Sequence, residues 1–243
     1  MSIFKKSEQS GLWTASFGEI GASLSVLEKN GFTLDMFKQL REKNGDTVAK
    51  KIVALFTADY YQIKVNWYNF YKQYFGIDYD LSDIKISTPK LGLTRPIIII
   101  PGVTPNLTVT KMKDHMDVWT YTENLDKAIV KNDRDAKDGP YLIWVRDGLE
   151  PEKDYRNMSA NTLAAKNISG QTLLERLIHG FEYWDKTKKH LDYKDITLCS
   201  GSRGSGGDVP YVCFYPRVGD RVRVGYYHPG NSRGSLGARE VSC

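Results

Sequence analysis

Apolar residues recur at helical spacing through the first third of this chain, and past residue 196 they come only in short alternating runs. That one-way order narrows the fold more than any motif in the sequence does. Leu24, Val26 and Leu27, then Leu34, Phe37 and Leu40, then Val48, Ile52, Val53, Leu55 and Phe56 mark helices, interrupted at Asn30-Gly31 and Asn44-Gly45. Residues 59–75 continue the pattern with Tyr60, Tyr61, Trp67, Tyr68, Phe70, Tyr71, Tyr74 and Phe75. Rings so spaced can stack on bases or sugars, but core packing or a subunit interface is the reading taken here. Gly76 and the polar stretch 78–89 then mark a boundary, giving a helical N-terminal region over 1–90 and a second domain over 91–243.

Within the second domain, Arg95-Pro96-Ile97-Ile98-Ile99-Ile100-Pro101-Gly102 predicts a buried strand stopped by Pro-Gly. Thr104 to Met116 predicts a helix, with Thr104 as its cap and Pro105 in the first position. Tyr141–Val145 predicts another strand. Thr172-Leu-Leu-Glu175 is a capping box opening a helix through His190, with Leu174, Leu177, Ile178, Phe181 and Trp184 on one face. Ile196–Cys199, Pro210–Tyr215 and Arg221–Tyr227 predict short strands. There is no strand–helix–strand rhythm and no internal repeat. The expected class is α+β, with the 172–190 helix packed on a small twisted antiparallel sheet.

Composition excludes several function classes. An apolar content of 41% belongs to a folded chain. No apolar run approaches the ~20 residues that span a bilayer, and the first residues lack a secretory apolar core. A cytoplasmic location or a place in a virus particle is expected. The net charge of +5 comes from scattered lysines and reads as solubility. Cys199, Cys213 and Cys243 have no Cys-x-x-Cys spacing, so neither a zinc site nor a disulfide framework is expected. His115, His179, His190 and His228 also lack ligand spacing, and no metal or cofactor is expected. Asn132-Asp-Arg-Asp-Ala-Lys-Asp-Gly139 lacks the carboxylate pattern of a calcium loop and reads as a solvated turn. Ser200-Gly-Ser-Arg-Gly-Ser-Gly-Gly207 lacks the Gly-Lys-Ser/Thr of a phosphate cradle and the spacing of a nucleophile elbow, and reads as a loop.

The tail, residues 200–243, is written in another vocabulary. Lys, Glu, Gln, Met and Trp make up 46 of the first 199 residues, a rate that would give about ten in the last 44, yet Glu240 alone is found. Loop character does not explain this, because loops accept Lys and Glu freely. The strands alternate as well. Val212 and Phe214 point one way, and Tyr211, Cys213 and Tyr215 the other. Val222, Val224 and Tyr226 face in, while Arg221, Arg223, Gly225 and Tyr227 face out. A regular apolar frame thus carries a chemically mixed face.

That combination resembles the variable region of a diversity-generating retroelement target protein, a family built mostly on the C-type lectin fold. In that family, template adenines are mutated during reverse transcription. Asn codons ending in a pyrimidine then become codons for any residue but Lys, Glu, Gln, Met and Trp, the set depleted here. The ending Pro229-Gly-Asn-Ser-Arg-Gly-Ser-Leu-Gly-Ala-Arg239-Glu-Val241 is similar to the closing segment of those domains and of the related formylglycine-generating-enzyme group. Ala238 stands where they carry an aromatic. The likeness covers 196–243, extends to 94–195 only in the order of elements, and does not reach 1–90.

The resemblance implies a C-type lectin-like domain in a viral or prokaryotic protein that binds ligands and performs no chemistry. The diversified positions map to Tyr211, Cys213, Tyr215, Arg221, Arg223 and Tyr227 on the strands, and to His228, Asn231, Ser232, Arg233, Gly234 and Ser235 in the loop. These are expected to form one solvent-facing patch for an unidentified protein or glycan, with the composition of a paratope. Oligomerisation is left open. The alternative is a nucleic-acid-binding protein using the basic tail and the aromatic helix.

Overall fold

The first helix begins where a reciprocal cap permits it. Ser16 Oγ accepts from the Glu19 amide at 3.3 Å, and the Glu19 carboxylate accepts from the Ser16 amide at 2.7 Å. Helix α1 (Phe17–Lys29) follows, then α2 (Leu34–Lys38), capped by Thr33 and running into a 3-10 turn at Gln39–Arg41. Neither α1 nor α2 buries a residue, and Phe17, Ile20, Leu24 and Leu27 are exposed. The long α3 (Gly45–Phe75) comes next. This computed structural model describes residues 16–29, 31–42, 45–216 and 219–243, with 48–59 described by backbone alone. The expected apolar positions Val48, Ile52, Val53, Leu55 and Phe56 therefore lie outside the described side chains.

By compactness the chain divides into Met1–Tyr60 and Tyr61–Cys243, not at the polar stretch near residue 90. The aromatic stripe explains the difference. Trp67, Phe70, Tyr71 and Phe75 are core residues of the second unit. Tyr71 donates its hydroxyl to the Ile98 carbonyl at 2.7 Å, Trp67 Nε1 donates to Pro96 at 3.2 Å, and Phe70 meets Phe181 edge-on at 5.5 Å. Buried rings whose polar atoms find backbone partners are packing elements, not stacking platforms for a ligand.

The second unit adds β1 (Arg95–Ile99), α4 (Pro105–Lys113), β2 (Val118–Thr120), α5 (Leu125–Ala128), β3 (Ile129–Asn132) and β4 (Tyr141–Val145). After them come α6 (Ala160–Ala165), α7 (Leu173–Thr187), β5 (Ile196–Leu198), β6 (Ser202–Gly204), β7 (Val209–Tyr215), β8 (Arg221–Tyr227), β9 (Leu236–Gly237) and β10 (Val241–Ser242). The fold is α+β. Among the described residues three sheets form, with strand orders β1-β4-β10, β2-β8-β7-β5-β9 and β3-β6. The five-stranded sheet is antiparallel at its centre, but its edge strands β2 and β9 pair in parallel. The expected antiparallel sheet thus forms at the centre and is corrected at its two edges.

Helix α7 sits against α4, β1 and β7, so its polar residues are enclosed together with its apolar ones. Its capping box forms as read, between Thr172 and Glu175, and Lys188 in the left-handed region (φ 56°) ends it short of His190. Glu175 also accepts from Arg134 and from the Tyr141 hydroxyl. Residues 132–139 are therefore more than a solvated turn, because Arg134 ties them to the start of α7. The glycine-rich stretch is likewise partly strand. A Cβ on Gly170 would lie 2.0 Å from Ser200 Oγ, and one on Gly201 would lie 2.8 Å from the Gly170 carbonyl. The glycines let two chain segments touch, and Ser202 Oγ accepts from the Leu173 amide.

Behind α7 lies a buried ionic cluster. Asp192 accepts from Arg176 Nη2 at 2.6 Å, Arg239 Nη2 at 2.6 Å and the Thr197 hydroxyl at 2.6 Å. Burial pushes the Asp192 carboxyl up, and the two guanidiniums with the Thr197 hydroxyl more than offset it, leaving the group below its ordinary value. His179 is fully buried, its Nδ1 3.3 Å from the Gln171 amide nitrogen. Burial first, then Arg239, Arg176 and Arg95, hold it well below 6.5. The unfolded chain takes up this proton below about pH 6.5 while the folded one resists it. Stability is thus complete above that pH and declines beneath it, by about 1 kcal/mol per pH unit. Urea denaturation at pH 7.5 and 5.5 should show the loss, and His179→Gln should flatten it. Equal slopes in the two proteins would contradict the assignment.

Candidate functional site

The β7–β8 register fixes which residues of the tail share a face. Tyr211 opposes Gly225, Cys213 opposes Arg223, Tyr215 opposes Arg221, and Val209 opposes Tyr227. Val212–Val224 and Phe214–Val222 occupy the other side, the side of α7. The alternation read from sequence therefore assigns the faces correctly, but at Tyr226 the face is not covered. That ring was expected inward but is 52% exposed at the strand end, edge-on to Tyr121 at 4.9 Å. On the outer side β2 contributes Trp119, which opposes Arg223.

Half of the outer face is covered. Ala160 and Leu163 of α6 pack with Leu198, Val209, Tyr211, Cys213, Leu236 and Ala238 in an apolar cluster of their own. Tyr211 and Cys213, expected to face solvent, are consequently only 7% and 3% exposed. Alternation names a face; it does not say what lies over it. Gly225 shapes this half, because a Cβ there would fall 2.4 Å from Tyr211 Cζ. Its absence lets the Tyr211 ring lie across β8 and stack on Tyr227 at 4.7 Å and 24°.

The β8–β2 half is open. Tyr215 is 41% exposed, and Arg221 and Arg223 are half-buried. The Arg223 guanidinium lies 4.5 Å over the Trp119 ring. Arg221 Nε sits 3.1 Å from Asp117 Oδ2, an ion pair without hydrogen-bond alignment. The loop 228–235 is anchored by the Asn161 amide on the Pro229 carbonyl at 3.1 Å and by the Ile196 amide on Ser235 at 2.7 Å. It exposes His228, Asn231, Ser232, Arg233 and Gly234, with Ser235 and Tyr227 half-buried. Arg233 lies 4.9 Å over the Tyr227 ring.

Two open grooves meet at Tyr215. One, of about 390 Å³, is lined by Tyr193, Lys194, Asp195, Ile196, Phe214 and Pro216 together with Cys213, Tyr215, Arg233 and Ser235. The other, of about 290 Å³, is lined by Trp119, Tyr215, Arg221 and Arg223. The structure therefore places Arg233 and Ser235 on one groove and Arg221 and Arg223 on the other, with Tyr215 lining both. Tyr211 and Cys213 lie beneath them, and His228, Asn231, Ser232 and Gly234 extend from them along the loop. Trp119, Tyr193 and Lys194 were missed. They lie outside the tail, although the β-branched and aromatic run 118–121 is a strand signal that could have placed Trp119.

Burial raises the Tyr211 phenol while Arg223 and Arg233 pull it down, so both cations act on one ring. The Cys213 thiol is pushed up to about 11 by burial, and burial raises Cys199 further still, so neither is a thiolate at neutral pH. All three cysteines are free. Among the described residues no cluster of three or more His, Cys, Asp or Glu could hold a metal, and no helix is long and apolar enough to cross a membrane. In comparisons with known proteins, no family model, curated sequence or solved structure matches this chain.

Proposed function

We propose that this is a non-enzymatic ligand-binding protein of the retroelement variable type, with a C-type lectin-like domain whose receptor surface is the open half of the five-stranded sheet and the loop beside it. The observation that carries the reading is the division of the tail. Val212, Phe214, Val222 and Val224 are buried in the core, whereas Tyr215, Arg221, Arg223 and Arg233 line two neighbouring grooves and Asn231 and Ser232 are exposed on the adjoining loop. Tyrosine supplies contact area at low entropic cost, arginine supplies bidentate anchoring, and Ser and Asn adapt their hydrogen bonds.

A display library tests this. Randomising Tyr215, Arg221, Arg223, Asn231, Ser232 and Arg233 together should leave most members folded, since surface changes cost within ~0.5 kcal/mol each. Randomising Val212, Phe214, Val222 and Val224 should cost ~1–4 kcal/mol per site. Selecting the first library on an unrelated folded protein such as lysozyme should return binders altered at those six positions. Equal loss of folding in both libraries would contradict the reading. Its retroelement part is checked in the neighbouring DNA, where a near-copy of the 3′ end of the gene should lie beside a reverse transcriptase.

A further inference from the structure

Two guanidiniums on the open face lack a counter-charge. Arg221 is paired with Asp117, and the Asp195 carboxylate is taken by Arg156. Arg223 and Arg233 have no carboxylate partner among the described residues, and Arg223 Nε has no acceptor at all. Each lies instead over a ring, Arg223 over Trp119 and Arg233 over Tyr227. A ring beneath a guanidinium restrains it and leaves its N–H edges for a planar two-oxygen acceptor. The same contacts occupy the ring faces that nucleobases would need for stacking. Beside Arg233 the larger groove mixes polar groups with the apolar Ile196 and Pro216, while Phe214 lies buried beneath it and Lys194 is exposed at its rim. A phosphate chain or a sulfated sugar gains nothing from an apolar wall, whereas a peptide carrying an apolar side chain between acidic ones does.

We infer that this face takes an acidic polypeptide segment, its Asp or Glu carboxylates pairing with Arg223 and Arg233 and an apolar side chain entering the groove beside Ile196 and Pro216. The inference rests on the reading of this face as a ligand surface and adds the chemistry of the ligand. The test is selection of a random dodecapeptide phage library on the whole protein at physiological salt. Recovered peptides should be enriched in Asp and Glu interspersed with apolar residues. A synthetic copy of the best one should lose about tenfold or more in affinity on Arg223→Ala or Arg233→Ala, the worth of a charge-assisted pair. Arg223→Lys, which keeps the charge and loses the fork, should also weaken it several-fold, with melting temperatures showing that every variant is folded. Neutral or basic peptides whose binding is lost on Tyr215→Ala would overturn the inference and leave the surface reading standing. Peptides indifferent to Tyr215, Arg223 and Arg233, or no enrichment over an uncoated control, would count against both. A dodecamer of deoxythymidylate binding more tightly than the best peptide would overturn the inference in favour of nucleic acid.

Discussion

Asp192→Ala should cost about 3–5 kcal/mol, the largest loss expected from any single polar substitution in this protein. The carboxylate is fully buried and accepts from two guanidiniums, those of Arg176 and Arg239, whose side chains are 3% and 1% exposed. Removing it leaves two buried guanidiniums without the carboxylate that pairs with both. Arg239 retains the carbonyls of Gly148 and Leu149 and the Thr197 hydroxyl, whereas the bonds from Arg176 Nε and Nη2 both go to Asp192 and are lost with it. Because the cost is that of an uncompensated charge, replacing Arg176 with Met in the same chain should recover part of it. Chemical denaturation of the wild type and the two variants measures both effects. A loss under about 1 kcal/mol for Asp192→Ala, or no recovery in the double variant, would show that the cluster is solvated or easily rearranged.

Gly225→Ala should destabilise by ~1–3 kcal/mol although it adds only a methyl group. The new Cβ would meet Tyr211 Cζ at 2.4 Å and its hydroxyl at 2.5 Å. The ring cannot swing aside, since it is stacked on Tyr227 and packed with Leu198 and Leu163. Tyr211→Ala alone should cost ~3–5 kcal/mol, as a buried aromatic does. Together the two changes should cost less than their sum by ~0.5–3 kcal/mol, because the methyl then enters the space the ring has left. Strict additivity would mean that the sheet relaxes around the methyl and that Gly225 is not what seats the ring.

The parts of the fold that could be read in advance are those governed by local chemistry. The Thr172–Glu175 capping box, the Thr104-Pro105 helix start and the alternation of Arg221–Tyr227 each depend on neighbours within a turn or a strand, and each stands where the sequence puts it. Edge strands of two or three residues, such as β2, β9 and β10, carry too few positions for a period and are defined only by the strands they join. The unit boundary was misplaced for a related reason. Trp67 and Tyr71 look helical from their spacing, but it is their bonds to Pro96 and Ile98 that assign them to the second unit. At the candidate site, alternation gave the face and could not give its cover. Helix α6, six residues of mostly small side chains, has no amphipathic pattern to announce that it roofs Tyr211 and Cys213.

Strands β9 and β10 lie only four residues apart yet enter different sheets, with Arg239 reaching the Asp192 cluster from between them. A ribosome delivers those residues after everything they close upon. Until residue 242 has left the exit tunnel, β4 and β5 each lack a neighbour and Asp192 lacks one of its two cations. At ~5–20 residues per second, residues from 61 onward wait roughly 10–40 s in that unfinished state, within reach of chaperones and proteases. A premature stop anywhere in codons 236–242 should accordingly yield degraded protein and not a shortened one. Whatever changes on the open face, those few codons have to stay constant for the chain to fold.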